Sequence, residues 1–198
     1  MTTVREKASL RERARTVRDA IDPARRLAGS EAIHERLYEL PWFREADAIA
    51  IYFSTGSEVI TGPLAVRLAE QEGKRIFLPF VLNDGLQLTE WRPSDPVVDA
   101  PYGGMHPRFR RAVPLDDVDV IIVPGLVFDR TGGRLGEGAG YVDDLMRRLT
   151  PGAGRIGLAF EEQLVPEVPM RSTDERVHAI VTEADVIVCD PAFAPPHR

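Results

Sequence analysis

A single cysteine, Cys189, among 198 residues leaves no partner for an intramolecular disulfide, so the fold has to rest on an apolar core. Its setting, Val186-Ile187-Val188-Cys189, reads as a small hydrophobe at the end of a strand rather than as a nucleophile. No apolar run approaches the roughly 18 residues that cross a bilayer, and the N-terminus is charged where a signal peptide needs a hydrophobic segment. A cytoplasmic protein with no membrane partner is therefore expected. The four histidines, His34, His106, His178 and His197, show no close ligand spacing, so no zinc site is expected. No Gly-x-Ser-x-Gly elbow is present. A chain of this length buries roughly 70% of its unfolded surface, enough for a self-sufficient core.

Acidic side chains outnumber basic ones, and the balance is uneven along the chain. The formal net charge is −6, which argues against a nucleic-acid partner. Residues 1–28 nevertheless carry eight basic and four acidic side chains, leaving the remainder at −10. That segment is either a solvated helix face or a basic helix folded against an anion.

From Val4 to about Ala28, Leu10, Ala14, Val17 and Ile21 recur at helical spacing, with Pro23 the only interruption. Gly29-Ser30 reads as a stop and an N-cap, and Ile33, Leu37 and Leu40 mark a second helix ending before Pro41. Ala48–Phe53 is a continuous apolar run, as in a strand covered on both faces. A polar loop, a helix from about Pro63 to Glu72 and a strand at Arg75–Leu78 complete a β-α-β unit. Leu86–Trp91 alternates after Asn83-Asp84-Gly85 and reads as a hairpin or edge strand. Residues 92–116, with five prolines, are assigned no regular structure. Strands follow at Val118–Val123, Ile156–Phe160, Ala179–Val181 and Val186–Val188, with a helix at about Tyr141–Leu149. The pattern predicts an α/β fold: a single domain over 1–198, a mostly parallel open sheet flanked by helices, with two N-terminal helices in a segment 1–40 packed on it. A monomer is expected.

The Gly-rich stretch Gly132–Gly140 lies between a buried strand and a helix, where backbone N–H groups and the helix dipole favour an anion. It lacks the Lys and Ser/Thr of a P-loop, and Tyr141 stands where a dinucleotide fingerprint needs its third Gly. Taken by itself it reads more readily as a flexible surface turn than as an anion site.

Arg134-Leu135-Gly136, followed by Gly138 and Gly140-Tyr141-x-Asp143, resembles the signature of the 5-formyltetrahydrofolate cyclo-ligase family. Lys7-x-x-Leu10-Arg11, Ser57-Glu58-Val59-x-Thr61, Pro124-Gly125-Leu126-x-Phe128-Asp129, Ala159-Phe160-x-x-Gln163, Asp174 and Thr182-Glu183 resemble further family segments in the same order. The resemblance implies the cyclo-ligase fold and an ATP- and Mg²⁺-dependent conversion of 5-formyltetrahydrofolate to 5,10-methenyltetrahydrofolate. In that reaction the γ-phosphoryl passes to the formyl oxygen and ADP and phosphate are released.

It also implies roles. Lys7 and Arg11, one turn apart, would contact ATP phosphates together with Arg134 and the loop glycines Gly136, Gly138 and Gly140. Lys7 is one of only two lysines. Asp143 and Asp174 would be the Mg²⁺-linked carboxylates, oxygen ligands of the hardness Mg²⁺ prefers. Glu58 would bind the pterin and Trp91 would lie near the folate, where a flat heterocycle stacks. Tyr141 would lie between the substrates and, with Arg134, serve catalysis.

The chain departs from the family at Val142, where a second tyrosine is common, and at Glu137, His106 and His178, all expected near the substrates. A carboxylate about 4 Å from a phosphate would cost on the order of 4 kcal/mol at an effective dielectric near 20. Glu137 therefore either points away or weakens nucleotide binding. Two further readings stay open: a divergent paralogue that activates another N-formyl or amide oxygen, and a folate- or nucleotide-binding protein without turnover.

Overall fold

A computed structural model describes residues 2–83, 85–99 and 105–193. His197, Asp84 and part of the 92–116 segment lie outside them.

The N-terminal basic segment forms α1 (Thr2–Asp19) and α2 (Pro23–Leu37). The break falls at Ala20–Asp22, earlier than the predicted stop at Gly29-Ser30. Asp22 accepts the N–H groups of Ala24 and Arg25 at 2.9 and 3.2 Å, and Pro23 occupies the first turn, where its missing N–H is harmless. Gly29 lies inside α2 because a Cβ there would sit 3.1 Å from the Phe160 ring. Ser30 donates to Arg26 O at 2.7 Å and accepts from Ile60 N at 3.0 Å, so it ties α2 to the loop after β1.

A short helix, α3 (Pro41–Glu45), precedes β1 (Ala48–Ala50), which is followed by α4 (Gly62–Glu70) and β2 (Arg75–Leu82). β2 turns at Asn83, φ +49°, into β3 (Gly85–Trp91), which pairs with it antiparallel along its whole length. The proline-rich segment, expected to be irregular, contains β4 (Val97–Asp99) paired antiparallel with β5 (Met105–Pro107). Then come β6 (Val120–Val123), the small hairpin of β7 (Val127–Phe128) and β8 (Arg134–Leu135), α5 (Tyr141–Arg148), β9 (Gly154–Leu158), β10 (Ala179–Val181) and β11 (Val186–Val188).

The main sheet has seven strands in the order β11-β10-β9-β6-β1-β2-β3. Neighbours from β10 to β2 are parallel and both outer strands are antiparallel, so the sheet is mixed but mostly parallel, as predicted. Alternation along each strand divides the core between the two faces. Ile49, Ile51, Ile76, Leu78 and Ile122 pack with Ile33, Leu37, Phe43, Leu64 and Leu68 of α2, α3 and α4. Ala48, Ala50, Phe77, Ile121 and Val123 pack with Leu145, Met146 and Leu149 on the α5 side.

α1 stands apart from the sheet. Its Ala14 packs with Leu126, Val127, Leu135 and Val168, on the β7–β8 hairpin. Val17, expected on its apolar face, is 44% exposed. The inward face of α1 instead carries Lys7, Ala14 and Arg18, all buried, with buried Ile21 just past its end. Two of the three are cations, so this helix is oriented by its polar partners as much as by apolar burial.

Candidate active site

The loops leaving the carboxyl ends of β1 and β6 face α1, the side of an open parallel sheet where ligands bind. The loop after β6 is organised by Asp129, a buried carboxylate that accepts N–H groups from Thr131 (2.9 Å), Gly133 (3.1 Å) and Val168 (2.8 Å) and the Thr131 hydroxyl. Burial alone would raise its pKa, yet these donors hold it below the usual carboxylate value. Gln163 closes the same corner by donating to Gly125 O and Leu126 O at 2.8 and 3.1 Å. The resulting turn delivers Arg134 inward.

Arg134 has a side chain 2% exposed; it donates to Pro124 O at 3.1 Å and pairs with Asp143 at 3.0 Å. Its Nε is buried without a partner among the described residues. Gly136 and Gly138 form the cradle beside it. A Cβ on Gly136 would lie 2.7 Å from Arg134 Nη1, and one on Gly138 3.2 Å from the Arg11 guanidinium. Gly138 and Gly140 also have φ of +113° and +76°, which side chains disfavour. Gly140 is the N-cap of α5, so Tyr141, Val142 and Asp143 occupy its first turn. The Tyr141 hydroxyl has no hydrogen-bond partner among the described residues. Val142, Leu145, Pro79, Leu86 and Leu88 line a small apolar recess beside Pro124.

From α1, Lys7 donates to the Asp174 carboxylate, and Arg11 Nε donates to Gly136 O at 2.9 Å. Asp174 also accepts Arg171 N at 2.6 Å. Burial pushes its pKa up, but the ammonium and the backbone donor outweigh that and hold it low. Asp143 Oδ1 accepts the N–H of Glu175, the residue after Asp174, at 3.1 Å. The two aspartates, 31 positions apart, thus meet at one corner, each beside a cation.

Glu58 lies in the loop after β1. It accepts Thr55 N at 2.8 Å, and its pKa is raised, chiefly by burial, with the Thr55 N–H and the Arg18 charge opposing the shift. Arg18 went unnoticed in the sequence. Its signal is the helical spacing Lys7, Arg11, Arg18, which puts all three on one face. Its Nε donates to Ser57 Oγ at 2.9 Å, next to Glu58, and its Nη2 lies 4.0 Å from Glu137. It spans the gap between the β1 loop and the Gly-rich loop. Arg15 also holds Glu137, through Nε at 3.0 Å and through Nη2.

Trp91 is only 5% exposed. Its ring and that of Phe53 meet edge to face with centroids 5.1 Å apart, and its Nε1 donates to Asp95 O at 3.3 Å, so little of the ring is open to stack on a ligand. His106 is buried, with Nδ1 3.0 Å from Pro107 O and Nε2 3.4 Å from Arg110. His178, expected near the substrates, lies instead at the amino end of β9 and β10. It stacks on Phe193 at 3.7 Å and accepts Arg155 N at 3.2 Å, and burial lowers its pKa to about 4. Cys189 is half-buried, and burial raises its pKa to about 11, so it stays a thiol.

A polyphosphate fits this corner on two observations: the unpartnered Nε of Arg134, and the close glycine approach that any Cβ would fill. Among the described residues no three His, Cys, Asp or Glu side chains converge as a metal cage. A pair of carboxylates suits Mg²⁺, which draws its other ligands from phosphates and water. No described helix is long and apolar enough to cross a membrane.

The family model for the 5-formyltetrahydrofolate cyclo-ligase family matches residues 3–183. The 5-formyltetrahydrofolate cyclo-ligase of Mycolicibacterium smegmatis is 30% identical over 192 residues, covering 93% of this chain and 97% of the relative. A probable 5-formyltetrahydrofolate cyclo-ligase of Caenorhabditis elegans is 26% identical over 205 residues, covering 96% and 99%. Among solved structures, the 5,10-methenyltetrahydrofolate synthetase of Aquifex aeolicus superposes with a TM-score of 0.83 at 30% identity, covering 97% of each chain.

Proposed function

The chain belongs to the 5-formyltetrahydrofolate cyclo-ligase family, and from that premise we infer that it closes 5-formyltetrahydrofolate to 5,10-methenyltetrahydrofolate at the expense of ATP. The observation that carries this reading is the joining of Arg134, Asp143, Asp174 and the glycine cradle to the cations of α1.

Lys7, Arg11 and Arg134 would hold the ATP phosphates, with Gly136, Gly138 and Gly140 letting the backbone approach them. Asp143 and Asp174 would hold Mg²⁺, which neutralises phosphate charge when bound. Glu58 would accept hydrogen bonds from the pterin, and Trp91 would support the folate site through Phe53. Tyr141, in the first turn of α5 after Gly140, would align the substrates. The γ-phosphoryl passes to the formyl oxygen and ADP leaves. N10 then attacks the formyl carbon, its proton is lost, and phosphate departs with the oxygen. The chain's own contribution is positioning and charge neutralisation, the main levers in phosphoryl transfer.

Incubating the full chain with ATP, Mg²⁺ and 5-formyltetrahydrofolate should produce the methenyl absorbance band; a folded preparation that gives none overturns the reading. Val142, in the wall of the apolar recess, motivates a second reading, in which another N-formyl or amide oxygen is activated. ATP turnover that is indifferent to the folate would select it.

A further inference from the structure

The cations of α1 continue past the pair assigned to phosphates. One and nearly two turns beyond Arg11, Arg15 and Arg18 converge on one carboxylate. Arg15 Nε and Nη2 both donate to Glu137 Oε2, and Arg18 Nη2 stands 4.0 Å from Oε1. Glu137 lies between Gly136 and Gly138 on an exposed part of the loop, so its side chain can swing away without disturbing a packed element. The Arg15 and Glu137 side chains are 45% and 57% exposed. An ion pair of that kind shifts an equilibrium by no more than about fivefold, so it opens readily.

We propose that Glu137 is a tethered anion that competes with nucleotide phosphates for Arg15 and Arg18. With the cradle empty, Glu137 holds both guanidiniums. When a polyphosphate enters, like-charge repulsion drives the carboxylate off and the arginines turn to the phosphate oxygens; on product departure Glu137 takes them back. Arg15 and Arg18 are then additional phosphate-binding residues, concealed in the free protein. The inference rests on the nucleotide reading above. It opposes a simpler role in which Glu137 only orders the loop, because the two predict effects of opposite sign.

The test is equilibrium binding of ATP, and in parallel of inorganic tripolyphosphate, to the full chain. Glu137→Gln should tighten both by about three- to fivefold, the strength of the pair it removes. Arg15→Ala should weaken binding more in the Glu137→Gln background than in the natural chain, since only there is Arg15 unoccupied. Unchanged or weaker binding by Glu137→Gln, or no dependence of the Arg15→Ala effect on background, overturns the competition while leaving the nucleotide reading intact. ATP binding to no variant overturns both.

Discussion

Lys7 and Asp174, 167 positions apart, form an ion pair that fastens the first turns of α1 to the loop before β10. The pair is mostly buried, and it joins the predicted phosphate-binding helix to the predicted metal-binding loop, alongside the packing of Leu10 and Ala14 with Val168 and Met170.

Lys7→Met removes one partner and leaves the Asp174 carboxylate with its Arg171 N–H alone. The expected loss of stability is about 1–3 kcal/mol, below the full range for a deeply buried pair because Asp174 keeps some solvent. Denaturant unfolding should show it. The depressed Asp174 pKa adds a pH signature. Its stabilisation is present above the unfolded carboxyl value and fades as pH falls through the lower folded value, so the variant and the natural chain should converge in acid.

Glu58→Gln should separate function from stability. The folded pKa of Glu58 is raised, first by burial, so its favourable contribution holds below the unfolded value and is lost as pH rises through the folded one. The variant should therefore melt above the natural chain at pH 7, and lose that advantage at pH 4. Its folate KM should rise about tenfold or more, as when a charged hydrogen-bond acceptor is removed. A melting temperature lowered equally at both pH values would contradict the burial account.

Gly157→Ala should disturb the site from below. A Cβ there would lie 2.4 Å from the Phe128 ring, which also fills the space over Gly125. Phe128 begins the turn that aims Arg134, so overpacking of about 1–3 kcal/mol should come with reduced activity. Pairing it with Phe128→Leu should recover much of the stability; no recovery would locate the strain elsewhere.

His178 should govern part of the acid response. Burial, then the Arg155 charge, lowers its pKa to about 4, and its Nδ1 accepts a backbone N–H only while unprotonated. A depressed histidine gives stability that is complete above the unfolded pKa near 6.5 and declines as pH drops toward the folded value. His178→Gln should flatten the stability profile between about pH 6.5 and 4, with kcat little changed if the residue stands outside the site. An unaltered slope would assign that decline to the buried His34, whose pKa burial also lowers.

Sheet elements are legible in sequence because Ala48–Phe53 and Val120–Val123 are apolar runs bounded by polar or turn residues. The break between α1 and α2 falls at a signal the reading of Gly29-Ser30 as the stop passes over: Asp22 before Pro23 is an N-cap and first-turn pair, whereas Gly29 lies close against Phe160. β4 and β5 escaped notice since prolines mark irregularity, and Pro107 sits at the end of an edge strand where no N–H is needed. At the site, Arg134, Asp143, Lys7 and Asp174 were named from motif order, and their meeting is a matter of topology that no spacing reports. Arginine is common along this helix, so only the helical spacing from Lys7 and Arg11 hints at Arg18, and the convergence of Arg15 and Arg18 on Glu137, 119 positions after Arg18, is a matter of the fold.

The order in which the chain is synthesised is at odds with the order in which these contacts can form. α1 and α2 emerge first, yet Arg25 waits for Glu162 and Glu183, Gly29 for Phe160, and Arg36 for the Glu183 carbonyl. A growing polypeptide halted before residue 160 could already seat α2 on β1 and α4 through Ile33 and Leu37 and on the loop after β1 through Ser30. What it would lack is the outer brace of α2, which residues 160–183 add last.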